Sequence, residues 1–139
     1  MKFNVTFSHT PKQFEEMLMA EFEKPFREAV IELFTRIIQR TPVDTGRAKA
    51  NWQPANGRYI EDRSLNQYDK EGTATINKVR DVLSKWKLSD GFVSLCNNLN
   101  YIVPLEYGFS NKAPTGMVRI SIEEWDDIVN EAWAKAQSK

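Results

Sequence analysis

The sequence predicts an α+β domain in which a small sheet, of about three to four strands, is packed by one long N-terminal helix, a middle helix and a C-terminal helix. Three observations predict it. Apolar residues alternate with polar ones at Phe3, Val5 and Phe7, and the run Phe92 to Asn97 (FVSLCN) reads as a second strand. A stripe of Phe14, Leu18, Phe22, Phe26, Val30, Leu33 and Ile37 keeps the three-to-four spacing of one helix face. Two shorter helical stripes follow, Ile76 to Trp86 and Val118 to Ala136. With 139 residues, eight Phe and four Trp, the chain has the material for one domain, residues 1–139, that hides about two-thirds of its unfolded surface.

Taken in order, the first strand gives way to a helix start at Thr10, Pro11 and Gln13, which read as N-cap, first helical position and capping-box partner. A straight helix from Pro11 to Gln39 would be about 44 Å long. A globule of this chain length is only about 37 Å across, so the helix must bend or protrude. Pro25 lacks the N–H that would bond to residue 21, which places a kink or break near Glu21 to Lys24. From Ala29 to Ile38 seven of ten residues are apolar, a half-helix to be covered on more than one side. The Glu-rich first half is the part expected to overhang.

Val43 to Lys49 (VDTGRAK) is a turn, with Asp44 capping locally and Gly46 free to take a positive φ. Ala50, Trp52 and Pro54 then read as a short strand. Residues 56–75 form a polar stretch of about twenty residues with Tyr59, Ile60, Leu65 and Tyr68 as its only anchors, a mobile loop or an extended hairpin. The middle helix ends at Ser89-Asp90-Gly91. Ile102 to Tyr107 is a short helical turn, and Thr115 caps the last helix.

Charge excludes more than it identifies. Nineteen basic and nineteen acidic residues cancel, so no net field gathers nucleic acid or an anionic membrane. One Cys and one His cannot build a Cys/His zinc site, Cys96 has no internal disulfide partner, and a reducing cytoplasm fits such usage. No basic leader with an apolar run opens the chain, and no eighteen-residue apolar window occurs. Cys96 in a strand and His9 before a helix start read as a small thiol and a solvated imidazole rather than a nucleophile and its base. The pairs Glu15-Glu16, Glu123-Glu124 and Asp126-Asp127 sit about 100° apart on helix turns and read as solvated charges near helix starts. Glu106, among Leu105, Tyr107 and Gly108, is expected in a salt bridge to Arg47 or Arg119. Arg36, Arg40, Arg47, Lys49 and Arg58, with Trp52 and Tyr59, supply the alternative of a small nucleic-acid-binding module. No phosphate loop or nucleophile elbow occurs, and no cofactor or metal is expected.

Three segments, Arg40 to Gln53 (RTPVDTGRAKANWQ), Asn97 to Phe109 (NNLNYIVPLEYGF) and Ala113 to Arg119 (APTGMVR), follow a long helix in this order. Together they resemble the tail-completion family of tailed bacteriophages, the head–tail joining or neck proteins also described as lambdoid minor tail protein Z-like. The resemblance covers the chain from the first helix to the last and omits the polar loop. It implies a small antiparallel sheet packed by one long helix. It also implies a non-enzymatic virion protein, made in the host bacterial cytoplasm, whose copies form a ring of six in the virion between the head connector and the tail tube or tail terminator, a monomer in solution being compatible with this, with no membrane or specific nucleic-acid partner. The turns Pro42, Asp44, Thr45, Gly46 and Glu106, Tyr107, Gly108, together with Arg119, would hold the architecture or take part in subunit contact. Pro25 departs from a straight long helix.

Overall fold

The computed structural model describes residues 11–108, 113 and 115–138. The strand read at Phe3 to Phe7, the cap at Thr10 and the side chains of Gln13, Phe14 and Leu18 lie outside the described ones. Six α-helices and a two-stranded antiparallel sheet make up the described fold, an α+β arrangement led by a long helix.

The long helix α1 spans Pro11–Arg40 and is unbroken. Of the kink or break expected near Glu21 to Lys24, the break does not occur, because Pro25 forfeits a single backbone bond while the helix carries through on both sides. Its second half is covered on more than one side: Ala29, Val30, Ile31, Phe34, Ile37 and Ile38 are all buried. Helix α3 (Thr73–Ser84) packs along one flank and α6 (Trp125–Gln137) along another. From Glu21 onward the first half does not overhang, since Phe22 meets Trp133 of α6 with ring centroids 6.2 Å apart.

Side chains of α1 also close the far end of α3. Arg27 donates from Nε to the Leu83 carbonyl at 2.8 Å and from its terminal nitrogen to the Trp86 carbonyl at 2.7 Å. Both carbonyls lie at or just beyond the end of α3, and Leu83 also accepts the Trp86 N–H at 3.1 Å. Glu23 accepts the Leu88 N–H at 2.9 Å. At the other end, Thr41 donates to the Ile37 carbonyl and accepts the indole N–H of Trp52, both at 2.8 Å. A buried Trp is thereby satisfied and the chain after α1 is tied to it.

The strand read at Ala50 to Pro54 is displaced. Gly46, at φ 89°, lets Arg47–Ala50 wind into a short helix, α2, and strand β1 begins only at Gln53, running to Asn56. The alternation of Ala50, Trp52 and Pro54 runs from the end of that helical turn into the start of the strand. Strand β2 (Val93–Cys96) falls where FVSLCN was read, and pairs with β1 so that Gln53 faces Cys96 and Ala55 faces Ser94.

The two faces of this sheet differ. Val93 and Leu95 pack on the core. On the other face Gln53 and Ser94 are buried polar residues, and residues 57–72 lie across them. That segment has no helix or strand, yet its carbonyls are held one after another. Ser94 Oγ donates to Arg58 (2.6 Å), Asn98 Nδ2 to Ile60 and Arg63 (2.8 Å each), Gln53 Nε2 to Arg63 (3.0 Å), and Asn51 Nδ2 to Leu65 (3.0 Å). Asn51 Oδ1 accepts the Leu65 N–H at 2.6 Å. Side-chain amides therefore do here what a strand ladder would do with backbone groups, and the described residues contain two of the expected three to four strands.

The last helix is two helices. Between α5 (Val118–Glu123) and α6, Glu124 turns the chain where Arg40 grips it, donating to both carboxylate oxygens and to Ser121 Oγ. The short helical turn read after Asn100 is α4, Ile102–Glu106.

Candidate functional site

The three segments singled out in the sequence meet at one end of α1. Pro42 and Val43 line two adjoining hollows. One, of about 280 Å³, lies between the turn from Pro42 to Ala48 and Tyr101 and Leu105 of the α4 region. The other, of about 380 Å³, is bounded by the end of α1, Lys49, and the stretch from Ala113 through Gly116 to Ile120. Asn97 Nδ2 adds a direct tie, donating to the Ala48 carbonyl at 3.0 Å.

Glu106 is the centre of this end. Thr115 is exposed, and α5 begins after Met117, whose side chain cannot cap; the Glu106 carboxylate does so from eleven residues upstream. Oε1 accepts the N–H groups of Met117 (2.9 Å) and Val118 (2.7 Å). Oε2 accepts the Arg119 N–H (3.0 Å) and its Nε (2.8 Å). The guanidinium also donates to the Glu106 carbonyl and lies 4.7 Å from the centre of the Tyr107 ring. Of the two salt-bridge partners considered for Glu106, Arg119 is the observed one, while Arg47 Nε donates to the Leu65 carbonyl at 3.4 Å.

Gly116 makes the lock possible. At φ 84° it stands where a Cβ would come within 2.4 Å of Glu106 Oε2 and 2.7 Å of the Glu106 carbonyl oxygen. Burial pushes the Glu106 carboxyl up, but hydrogen bonds from Val118, Arg119 and Met117 outweigh it and hold the group below the usual carboxylate range.

The Pro42 turn is held from the other side. The Gly46 carbonyl accepts the N–H of Ala50 at 3.1 Å and of Asp69 at 3.0 Å, so the polar segment is moored here as well. Thr45 Oγ1, rather than the Asp44 carboxylate, makes the local turn bond, accepting the Arg47 N–H at 3.3 Å. Asp44, Thr45 and Tyr107 are exposed and Gly108 is half-buried at φ 85°. The structure thus brings together the eight residues singled out, with Gly46, Glu106 and Arg119 bonded into the fold and Asp44, Thr45 and Tyr107 facing outward.

Sequence reasoning missed three polar centres. Asp69 caps α3, accepting Thr75 N–H (2.8 Å) and Oγ1–H (2.7 Å) on Oδ2 and the Gly72 N–H (3.1 Å) on Oδ1. Burial raises its carboxyl, and the bonds from Thr75 and Gly72 more than reverse this. The spacing of Asp69, Gly72 and Thr75 is the signal that was there to find. Asn51 was invisible among other polar residues. Glu124 is a corrected reading: it is no solvated charge, since Arg40 and, at 3.3 Å, Arg36 pair with it and hold its carboxyl below the usual range.

Cys96 is half-buried within β2, and His9 lies outside the described residues. Among the described residues no three His, Cys, Asp or Glu are grouped to hold a metal ion, and no helix is long and apolar enough to cross a membrane. The fold and its polar centres define a small α+β protein in which Glu106 and Asp69 hold backbone N–H groups and Glu124 holds two arginine side chains. Comparison with protein-family models, curated proteins and solved structures finds no match for this chain.

Proposed function

We propose that this chain is a structural subunit of the neck of a tailed bacteriophage, a non-enzymatic protein whose copies form a ring, of six by the resemblance, between the head connector and the tail tube or terminator. One observation carries the reading: the three sequence segments that resemble the tail-completion family, far apart along the chain, line adjoining hollows around Pro42, with Asn97 tying the second to the first and Glu106 and Arg119 tying the second to the third. A family pattern that maintains one architectural corner has this form. Its perturbed carboxylates are saturated by structural donors, which suits a part that works by shape.

The alternative of a nucleic-acid-binding module has less support. Arg36 and Arg40 pair with Glu32 and Glu124, Arg47 bonds the Leu65 carbonyl, and Lys49 is buried, so of the five basic residues considered Arg58 alone stands exposed. The test is electron microscopy of particles made without this protein. Separate heads and tails are expected, with joining restored when the protein is supplied; heads and tails that still join normally would remove the proposal.

A further inference from the structure

Among the described residues, two surface features stand without a partner. One is concave: a groove of about 900 Å³ between α1 and α6, deepened by the fully buried Ala29 and walled by Phe22 and Trp133. Its rim carries four glutamates against two lysines. Of those glutamates Glu21, Glu28 and Glu131 make no hydrogen bond or ion pair among the described residues, and Glu28 and Glu131 are exposed on the two facing helices. The other feature is convex. Tyr59 and Phe92 stack with ring centroids 4.9 Å apart while remaining 63% and 42% exposed, and the exposed, unpaired Arg58 adjoins them.

These two surfaces cannot meet within one molecule. Phe22, Pro25 and Ala29 turn one flank of α1 to the groove, whereas Glu23 and Arg27 bond residues 83–88 on a flank roughly 100–160° round the helix, the side from which the chain runs on to Phe92. An aromatic pair edged by a guanidinium is the kind of group that anchors a protein contact, and the groove offers aromatic walls with unpaired carboxylates to receive it. The same carboxylates turn away an anionic ligand.

We infer that knob and groove are the two halves of one head-to-tail contact between copies of this chain: Tyr59 and Phe92 of one copy seat against Phe22 and Trp133 of the next, with Arg58 facing the rim carboxylates. The inference rests on the ring-subunit reading and names its contact. A contact between two different patches generates a ring when its rotation closes.

The experiment uses two variants of the full chain, altered only at exposed side chains so that folding, checked by circular dichroism, persists. A knob variant carries Arg58→Ser and Tyr59→Ser; a groove variant carries Glu28→Lys and Glu131→Lys. Sedimentation velocity runs from about 10 µM to about 1 mM, a range that registers even a weak contact. The unaltered chain is expected to assemble beyond a dimer, and each variant alone to associate at least about tenfold more weakly. An equimolar mixture of the two should stop at a heterodimer, because it retains one sound knob and one sound groove. An unaltered chain that stays monomeric to about 1 mM overturns the inference, as does either variant assembling like the unaltered chain. Assembly that ignores both variants removes this contact and leaves the ring reading standing, whereas particles that join without the protein remove the ring reading itself. A groove variant that blocks head–tail joining while copies remain monomeric assigns the groove to another virion protein, and so also overturns the inference.

Discussion

Removing the Glu106 carboxylate should be the most informative single change in this protein. Glu106→Ala leaves the N–H groups of Met117, Val118 and Arg119 without their acceptor and frees the Arg119 side chain. Loss of a helix cap costs about 1–2 kcal/mol, and losing bonds to a charged acceptor lies at the upper end of that range. The ion pair adds less than about 1 kcal/mol, because half of the Arg119 side chain faces water and is screened, although Glu106 itself is only 13% exposed. The expected loss is therefore about 2–3 kcal/mol, or roughly 6–15 °C in Tm for a chain of this size. Glu106→Gln keeps one oxygen for Met117 and Val118 but presents an amide NH2 toward Arg119, donor against donor, and should lose about half as much. The pH dependence fixes the cause. The folded carboxyl is held below its usual value near 4.5, so its contribution is complete above that pH and fades as pH falls through the lower folded value. Urea unfolding of the wild type and Glu106→Gln should show a gap that is full near pH 7 and narrows below about pH 4. A loss under about 0.5 kcal/mol for Glu106→Ala, or a gap unchanged across that range, would refute the lock.

Two further outcomes are open to simple measurement. Gly46→Ala should destabilise by about 2–4 kcal/mol, since the new Cβ would lie 2.6–2.8 Å from backbone atoms of Asp69 and Lys70 at a φ that suits glycine; unchanged thermal unfolding would show that the turn relaxes freely. In limited proteolysis residues 57–72 should be the first segment cut, and Gln53→Ala with Asn98→Ala should speed that cut several-fold while the rest of the core keeps its protection. Equal rates for variant and wild type would mean that the amide tethers do not restrain the segment.

What the sequence made legible was whatever is encoded within one segment. The stripe from Phe22 to Ile37, the apolar run in β2, and the spacing of Ile76, Val79 and Leu83 each state their own period, and the fold follows them. Glu106 was also legible, because a carboxylate among apolar residues beside a turn demands a cation or a row of N–H donors, and few were on offer. The rest depends on partners far along the chain. Nothing between Val118 and Gln137 says that the helix should turn at Glu124; Arg40, eighty-four residues earlier, decides it. Nothing in residues 57–72 says that they cover a sheet, because the groups that hold them are the amides of Asn51, Gln53 and Asn98, which look in the sequence like any solvated polar residues. Ala50 and Trp52 misled by alternating over too few residues to separate a period of two from the end of a helical turn.

The covering segment also explains why an aromatic pair stands at the surface of an otherwise conventionally packed protein. Tethering the carbonyls of Arg58 and Ile60 to Ser94 and Asn98 fixes the backbone, and Ile60 is buried beneath it. Ile60 is turned inward while Tyr59 is exposed, its ring against that of Phe92. A zero net charge offers no general repulsion to keep copies of such a surface apart. Specific contact then has to come from local complementarity, and the unpaired carboxylates of the α1/α6 groove provide a sign opposite to Arg58. Such pairs act at contact distance, inside the Debye length of about 8 Å at physiological salt. They therefore select the register of a contact while the rings supply its adhesion. That division of labour suits a subunit that must meet its neighbour in one orientation only.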